Sequence, residues 1–145
     1  MNVYIPTESE EQQLLFEYCM RMRGTYPQLD MLAHTPNEGK RNISTGARLK
    51  REGLRKGFPD ISLYHPSLEY HGLMIELKRK KGSKITEEQK DWIIKLNNEG
   101  YAAVFAYGCD EGWDVIRAYL NSNQNVMTQY IQNSLELCNE RKKKK

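Results

Sequence analysis

The segment from Gly57 to Lys78, GFPDISLYHPSLEYHGLMIELK, decides the fold, because it contains two strands joined by a turn-rich connection. Apolar residues recur at every second position in Asp60–Tyr64, at Ile61 and Leu63, and again in Gly72–Lys78, at Leu73, Ile75 and Leu77. This alternation is the pattern of strands. The connection Pro66–His71 has the composition of a hairpin-type turn. We therefore predict that these two strands lie side by side in one sheet.

Further helices and strands are predicted on both sides of this pair. A helix over Thr7–Met22 begins with capping-box spacing at Thr7 and Glu10 and ends at Gly24. The other predicted elements are a strand in Leu29–Ala33, a helix from Ser44 or Thr45 to Glu52, a helix over Thr86–Asn98, a buried strand over Tyr101–Tyr107 and a helix over Asp110–Leu120. This order predicts a single-domain α/β fold with a mixed central sheet flanked by helices.

The chain has 145 residues, enough for one domain with one hydrophobic core. We assign residues 1–120 to that domain and residues 121–145 to a C-terminal extension. In the extension, Val126, Tyr130, Ile131 and Leu135 would share one face of a helix, and residues 140–145 form a basic tail.

Charge is segregated along the chain, although the formal net charge is only +3. Basic residues concentrate in residues 40–56 and 78–84, and acids in residues 8–17 and 87–111. This pattern suits a polyanion bound near an acidic centre, with a solvated surface as the ordinary alternative.

Several classes of protein are disfavoured by composition. The three cysteines lack metal-ligand spacing and fit a reduced, cytoplasmic compartment, and the three histidines lack zinc-site spacing. No apolar stretch is long enough to cross a membrane, and no signal peptide, phosphate loop or nucleophile motif is present. We therefore expect no membrane partner and no small-molecule cofactor.

The two strands of the opening segment carry the chemistry. Glu76 and Lys78 share one face of their strand, and pairing of the two strands would bring Asp60 opposite Glu76. Two carboxylates suit Mg²⁺, which lowers the pKa of a bound water and stabilises charge on a phosphoryl group. Lys78 would orient the water or stabilise the transition state. The alternative is an ordinary cross-strand Glu–Lys pair, but Gly57-Phe58-Pro59-Asp60 one strand earlier favours the functional interpretation.

Two polar residues on helices have alternative interpretations. Glu11 falls within the apolar face of the first helix, so it either has a buried partner such as a metal or lysine, or reaches water at the edge of the core. Glu8 is expected to be a solvated acid at the helix start. Thr86 and Gln89 match a capping box, which by itself explains Gln89, although the helix begins close to the proposed site.

Taken together, these residues resemble the VRR-NUC domain, a branch of the PD-(D/E)XK nuclease superfamily with small standalone members in phages and bacteria. The resemblance runs from about Glu8 to Leu120. It rests on Gly57–Asp60, on Ile75-Glu76-Leu77-Lys78 and on Gln89, with Glu11-Gln12, Pro36-Asn37 and Gly100-Tyr101 in support. One departure from the family pattern is Asn37-Glu38-Gly39, which has an extra acid at a place where many members look more like Asn-Gly.

The resemblance implies a restriction-endonuclease-like fold and cleavage of DNA phosphodiesters with Mg²⁺ or Mn²⁺. Its metal carboxylates would be Asp60 and Glu76, with the backbone carbonyl of Leu77, and its lysine would be Lys78. Glu11 would be the acid of the first helix, preferred over Glu8 and Glu10, and also a metal ligand. Gln89 would be the helix glutamine. Standalone members are similar to Holliday junction resolvases, which implies branched DNA, a homodimer and, for a phage protein, the cytoplasm of a bacterial host.

DNA contacts are predicted from the basic stretches, because Lys and Arg supply salt-sensitive affinity for phosphates. The predicted DNA-binding residues are Lys40, Arg41, Arg48, Arg51, Lys80 and Lys81. Other functions remain open: a DNA-binding module that keeps the fold but does not cut, a nuclease acting on RNA, and a packaging-associated protein acting through residues 126–145.

Overall fold

A computed structural model describes residues 2–36 and 43–140, without the side chains of residues 43 and 44. Within these ranges the chain forms α1 (Glu8–Arg21), β1 (Leu32–His34), α2 (Ile43–Arg51), β2 (Ile61–Leu63), β3 (Leu73–Lys78), α3 (Glu87–Asn98), β4 (Ala102–Tyr107), α4 (Gly108–Leu120) and α5 (Gln124–Asn139). Two 3₁₀ helices, Met22–Gly24 and Pro27–Met31, connect α1 to β1. The predicted α/β fold with a mixed sheet is confirmed.

The strands form one sheet in the order β1-β2-β3-β4. The β1–β2 and β2–β3 pairs are antiparallel, and β3 runs parallel to β4. Ile61 lies opposite Ile75, so the predicted pairing of the two central strands is confirmed. This register brings Asp60, one residue before β2, to the level of Glu76.

Helices cover both faces of the sheet. Ile75 and Leu77 of β3 belong to a buried cluster with Leu15 of α1 and Val115 of α4, and Met74 packs on the other side with Ile93 of α3. Burial on both faces explains why all six residues of β3 are buried. Glu76 and Lys78 share the Met74 face, so they point towards the side that α3 covers.

Side chains satisfy backbone groups at the outer edge of β4. Asn97 of α3 bonds both the N–H and the C=O of Ala103, at 3.1 and 2.9 Å. The Phe105 N–H donates to Ser134 Oγ of α5 at 3.0 Å. Met127 and Cys138 of α5 are buried, so residues assigned to the C-terminal extension pack onto the α/β body. Helices therefore cover an edge that would otherwise offer unpaired groups to another strand.

Two predicted boundaries were wrong. The strand predicted at Leu29–Ala33 starts later, because Pro27 begins the 3₁₀ helix and β1 is only Leu32–His34. The helix predicted from Asp110 starts at Gly108, directly after β4. The predicted contacts at Lys40 and Arg41, and the departure at residues 37–39, lie outside the described residues. Among the described residues, no helix has the length and apolar character needed to span a bilayer.

Candidate active site

Hydrogen bonds connect Asp60 to Glu76 and to the backbone of Leu77 at one end of the two central strands. The Asp60 N–H donates to Glu76 Oε2 at 3.3 Å, and the Leu77 N–H donates to Asp60 Oδ2, also at 3.3 Å. The N–H and C=O of one strand residue point to the same edge, so the Leu77 carbonyl is directed towards Asp60 as well. Two carboxylates and one carbonyl therefore converge beyond the end of β2.

Gln89 links the two polar residues of β3. Its Nε2 donates to Glu76 Oε1 at 2.8 Å, and its Oε1 accepts from Lys78 Nζ at 2.9 Å. The same Oε1 accepts from the Thr86 N–H at 3.0 Å, which completes the capping box of α3. The helix cap and the contact with Glu76 and Lys78, which sequence reasoning treated as alternatives, are therefore made by one side chain.

Lys78 is buried, with 3% of its surface exposed. Its Nζ donates to the Lys84 carbonyl at 2.8 Å as well as to Gln89. It lies 3.8 Å from Glu76 Oε1 and 3.8 Å from Glu8 Oε1. These contacts hold the ammonium between β3, the loop that follows it and the start of α1.

Glu8 is the site residue that sequence reasoning missed. It faces a cleft of about 240 Å³ that is lined by Glu8, Lys56, Gly57, Asp60, Glu76, Thr86 and Gln89. We expected a solvated acid, and the side chain is indeed 45% exposed, but that exposed part lies in the cleft near Lys78. One signal for Glu8 was available in the sequence. Glu10 forms the capping box of α1, so capping cannot explain the acid at position 8.

Glu11 is buried, as the first of its two interpretations expected, and the partner that the structure shows is a backbone N–H. It is 2% exposed, and its Oε2 accepts a 2.5 Å hydrogen bond from the Cys109 N–H at the start of α4. A Cβ added at Gly108 would lie 3.3 Å from the same oxygen, so this turn and Glu11 are tightly packed. Three helical residues advance the chain by about 4.5 Å, which carries Glu11 away from the position that Glu8 occupies. Glu8, and not Glu11, is therefore the α1 acid that lines the cleft.

Burial, and after it the negative charge of Asp60, raise the pKa of Glu76 to about 9. Lys78 opposes these effects and lowers the pKa, but it does not cancel them. The surroundings of Glu76 therefore favour its protonated, neutral form. A cation bound beside Asp60 and Glu76 would favour the ionised form of both carboxylates.

The ligands available for that cation are all oxygens. No group of three or more His, Cys, Asp or Glu side chains is arranged to hold a metal in the described ranges 2–36 and 43–140. The site instead presents two carboxylates with the Leu77 carbonyl. Mg²⁺ is usually held by one or two carboxylates and keeps several waters, so these residues fit Mg²⁺ or Mn²⁺.

Four of the six predicted DNA-binding residues lie in the described part of the chain. Arg48 and Arg51 are exposed on α2, and Lys80 and Lys81 are exposed in the loop after β3. Lys80 Nζ lies 3.4 Å from Asp110 Oδ2, so an acid already accompanies that cation.

Comparison with known proteins places the chain in a family. The family model of the VRR-NUC domain matches residues 7–110. A solved structure of a "VRR_NUC domain protein" superposes with a TM-score of 0.72 at 33% sequence identity, over 82% of this chain and 92% of that one. Among curated proteins, no significant match was found. The matched range contains Asp60, Glu76, Lys78 and Gln89, and the chain therefore belongs to the VRR-NUC family, whose members have a nuclease-like fold.

Proposed function

We propose that the protein is a divalent-metal-dependent DNA endonuclease that hydrolyses phosphodiester bonds. The observation that carries this proposal is the pair of carboxylates Asp60 and Glu76 in one cleft, with Gln89 bonded to both Glu76 and the buried Lys78 behind it. Membership of the VRR-NUC family supports nuclease chemistry and DNA as the partner.

Asp60 and Glu76, with the Leu77 carbonyl, would hold Mg²⁺ or Mn²⁺. When bound, such an ion supplies a water of lowered pKa and stabilises charge on a phosphoryl oxygen. Gln89 keeps Glu76 Oε1 in place through its amide, and Asp60 N–H keeps Oε2 in place. The chain thus presents carboxylates whose orientation is set before substrate binds, which reduces the reorganisation needed during the reaction.

Lys78 is placed to act on the reacting groups. An ammonium has three N–H donors, of which two are taken by the Lys84 carbonyl and Gln89 Oε1. The remaining donor can orient the attacking water or bond a non-bridging phosphate oxygen. Glu8, 3.8 Å from Nζ, adds an acid from α1 at the open side of the cleft.

We further propose that branched DNA is the preferred substrate and that the protein acts as a homodimer. Support for this part comes from the resemblance of small standalone members to Holliday junction resolvases, which need two active sites. Exposed Arg48 and Arg51 on α2 would contact the DNA backbone.

The alternative is a DNA-binding module that does not cut. DNA binding alone does not require a buried carboxylate such as Glu76, whose pKa burial and the neighbouring Asp60 carboxylate raise to about 9. Burying such groups costs free energy, and carboxylates with strongly shifted pKa values concentrate at functional sites, so the cluster favours catalysis.

Cleavage of labelled DNA tests the proposal. Four-way junction, flap, nicked, linear duplex and single-stranded DNA would each be incubated with Mg²⁺, Mn²⁺ or EDTA, beside a single-stranded RNA. The variants would be Asp60→Asn and Lys78→Met, with Asp110→Asn as a matched control because Asp110 is exposed on α4, outside the cleft.

We expect metal-dependent cleavage by wild type and Asp110→Asn, strongest on the junction, and loss of cleavage in both Asp60→Asn and Lys78→Met. DNA binding without cleavage by wild type under every condition would favour the binding module. Equal cleavage of all DNA forms would remove the preference for branched DNA while leaving the nuclease in place.

A further inference from the structure

A second groove, about 500 Å³ in volume, lies next to the cleft. Residues 50–56 form one wall and α3 forms the other. Four cations, Lys50, Arg55, Lys56 and Lys95, line it against the two acids Glu88 and Asp91. The groove is therefore positively charged, whereas the neighbouring cleft is dominated by carboxylates.

Trp92 organises the cations at the centre of this groove. The Arg55 guanidinium lies 5.3 Å from the centroid of the indole ring, and Lys95 Nζ lies 5.4 Å from it. Both distances are within the range in which a ring attracts a cation. The indole N–H donates to the Lys56 carbonyl at 3.1 Å, and Phe58 packs edge-on against the ring at 5.0 Å. Arg55 and Lys95 are therefore both held against Trp92, and the ring does not neutralise their charge.

The acids of the groove neutralise only part of its charge. Glu88 pairs with Lys56 at 3.5 Å. Arg55 and Lys95 form no ion pair among the residues that the structure describes. These two cations are therefore available to an anion from outside the chain.

The groove continues directly from the cleft. Lys56 lines both of them. Gly57, at the edge of the cleft, lies so close to α3 that an added Cβ would be 2.6 Å from the Glu88 carbonyl carbon. Lys56 and Gly57 thus connect the two sites, and a polymer that leaves the cleft on this side enters the groove lined by Arg55 and Lys95.

We propose that this groove binds the sugar-phosphate backbone of the DNA strand next to the phosphate that is cut, through Arg55 and Lys95. The proposal rests on the proposed nuclease function of the cleft. The ligand is a polyanion because the unneutralised charge is positive, and it is the substrate strand because the groove and the cleft share Lys56. It adds contacts on the α3 side of the cleft to those expected from α2 and from the loop after β3.

Equilibrium binding tests the groove separately from catalysis. The full-length protein would be titrated against fluorescent duplex and four-way junction DNA in EDTA, over a range of salt concentrations. The variants are the double change Arg55→Gln with Lys95→Gln, the single change Asp91→Asn, and Arg117→Gln as control. Arg117 is an exposed arginine on α4, which packs on the opposite face of the sheet from α3.

We expect the double variant to bind DNA roughly tenfold more weakly, with a salt slope lower by about two, one for each lost phosphate contact. Asp91→Asn is expected to bind more tightly, a gain that misfolding cannot produce. Arg117→Gln is expected to match wild type. Binding by the double variant with the affinity and salt slope of Arg117→Gln, or no gain in Asp91→Asn, would overturn the proposal.

Hydrolysis of bis(p-nitrophenyl) phosphate with Mn²⁺ distinguishes failure of the groove from failure of the nuclease. This small diester reaches the cleft but is too short to reach both sites, so the double variant should hydrolyse it at the wild-type rate. A parallel loss of this hydrolysis would show that the cations support the cleft itself and would overturn the groove. If wild type hydrolyses neither this diester nor DNA, the nuclease fails, and the binding result still decides whether the groove holds DNA.

Discussion

The side-chain amide of Gln89 donates a 2.8 Å hydrogen bond to Glu76 Oε1, so the first turn of α3 is fixed directly to a carboxylate of the central strand. Gln89 also completes the cap of its own helix. The orientation of Glu76 therefore depends on the helix that follows it in the chain. This coupling can be tested because the cap and the amide bond respond differently to substitution.

Gln89→Glu should reduce cleavage by about 10- to 100-fold, the usual effect of losing a residue that orients a metal ligand. Glutamate still completes a capping box, but it cannot donate to Glu76. Thr86→Ala is the control, because it removes the cap oxygen, should cost about 1 kcal/mol of stability and should keep the amide bond. Cleavage rates and urea unfolding would be compared. A larger loss of cleavage in Thr86→Ala than in Gln89→Glu would contradict the prediction.

Glu8 and Glu11 should have opposite phenotypes. Glu8→Ala is expected to lower cleavage by about tenfold with little change in stability, because the residue is partly exposed in the cleft. Glu11→Ala should instead cost about 2 kcal/mol of stability, because it removes a charged acceptor from the Cys109 N–H. Denaturant unfolding and cleavage at a temperature where both variants are folded would separate them. Loss of cleavage in a fully stable Glu11→Ala would restore the original assignment.

Divalent metal should stabilise the folded protein. At about 100 times its dissociation constant, Mn²⁺ is expected to add about 2.7 kcal/mol, because it binds the folded state alone. Asp60→Asn should lose this gain, and Asp110→Asn should keep it. Thermal unfolding with Mn²⁺ or EDTA measures the effect without any substrate. An equal shift in wild type and Asp60→Asn would mean that the stabilising ion binds elsewhere.

Gly57→Ala should be more destabilising than Gly53→Ala. Both glycines have positive φ, +81° and +106°, so each alanine bears a backbone strain of about 1–2 kcal/mol. At Gly57 the added carbon would also lie 2.6 Å from backbone at the start of α3, whereas nothing lies within 4 Å at Gly53. The difference should be at least about 1 kcal/mol, with loss of cleavage only at Gly57. Equal effects on unfolding would show that this close approach is not required.

Ser134→Ala should cost about 1–3 kcal/mol, because it leaves the buried N–H of Phe105 without an acceptor. Removing residues 124–145 should have a larger effect and promote self-association through the exposed edge of β4. Ser122→Ala, at an exposed position, serves as control. Urea unfolding measures the first effect and analytical ultracentrifugation the second. A stable, monomeric truncated protein would show that α5 is dispensable for the fold.

Most of the architecture could be predicted from local pattern. Alternation in residues 60–64 and 72–78, capping boxes at Thr7 and Thr86, and the apolar run before Tyr107 each reflect interactions within a few residues. These patterns can be recognised in the sequence because a strand or the start of a helix is specified by residues close together in the chain. The bounds of β1 were harder to predict, because pairing with β2 determines which three residues form this strand.

The candidate site was predicted only in part, for the same reason. Asp60, Glu76 and Lys78 lie on two adjacent strands, so strand alternation and one pairing were enough to bring them together. Helix periodicity showed that Glu11 is buried but did not show its partner, which is the Cys109 N–H, 98 residues away. The same periodicity did not assign Glu8 to the site, because an acid in the first turn of a helix is also stable when it is exposed to solvent.

The sequence by itself therefore determined the order of elements, the strand that carries Glu76 and Lys78, and the family. Tertiary structure alone decided which α1 acid lines the cleft, that Gln89 bonds Glu76 as well as its own cap, and that Arg55 and Lys95 both lie against Trp92. The physical reason is distance along the chain. Local backbone and side-chain preferences act over a few residues. The contacts of Glu8, Gln89, Arg55 and Lys95 instead depend on how the helices pack against the sheet.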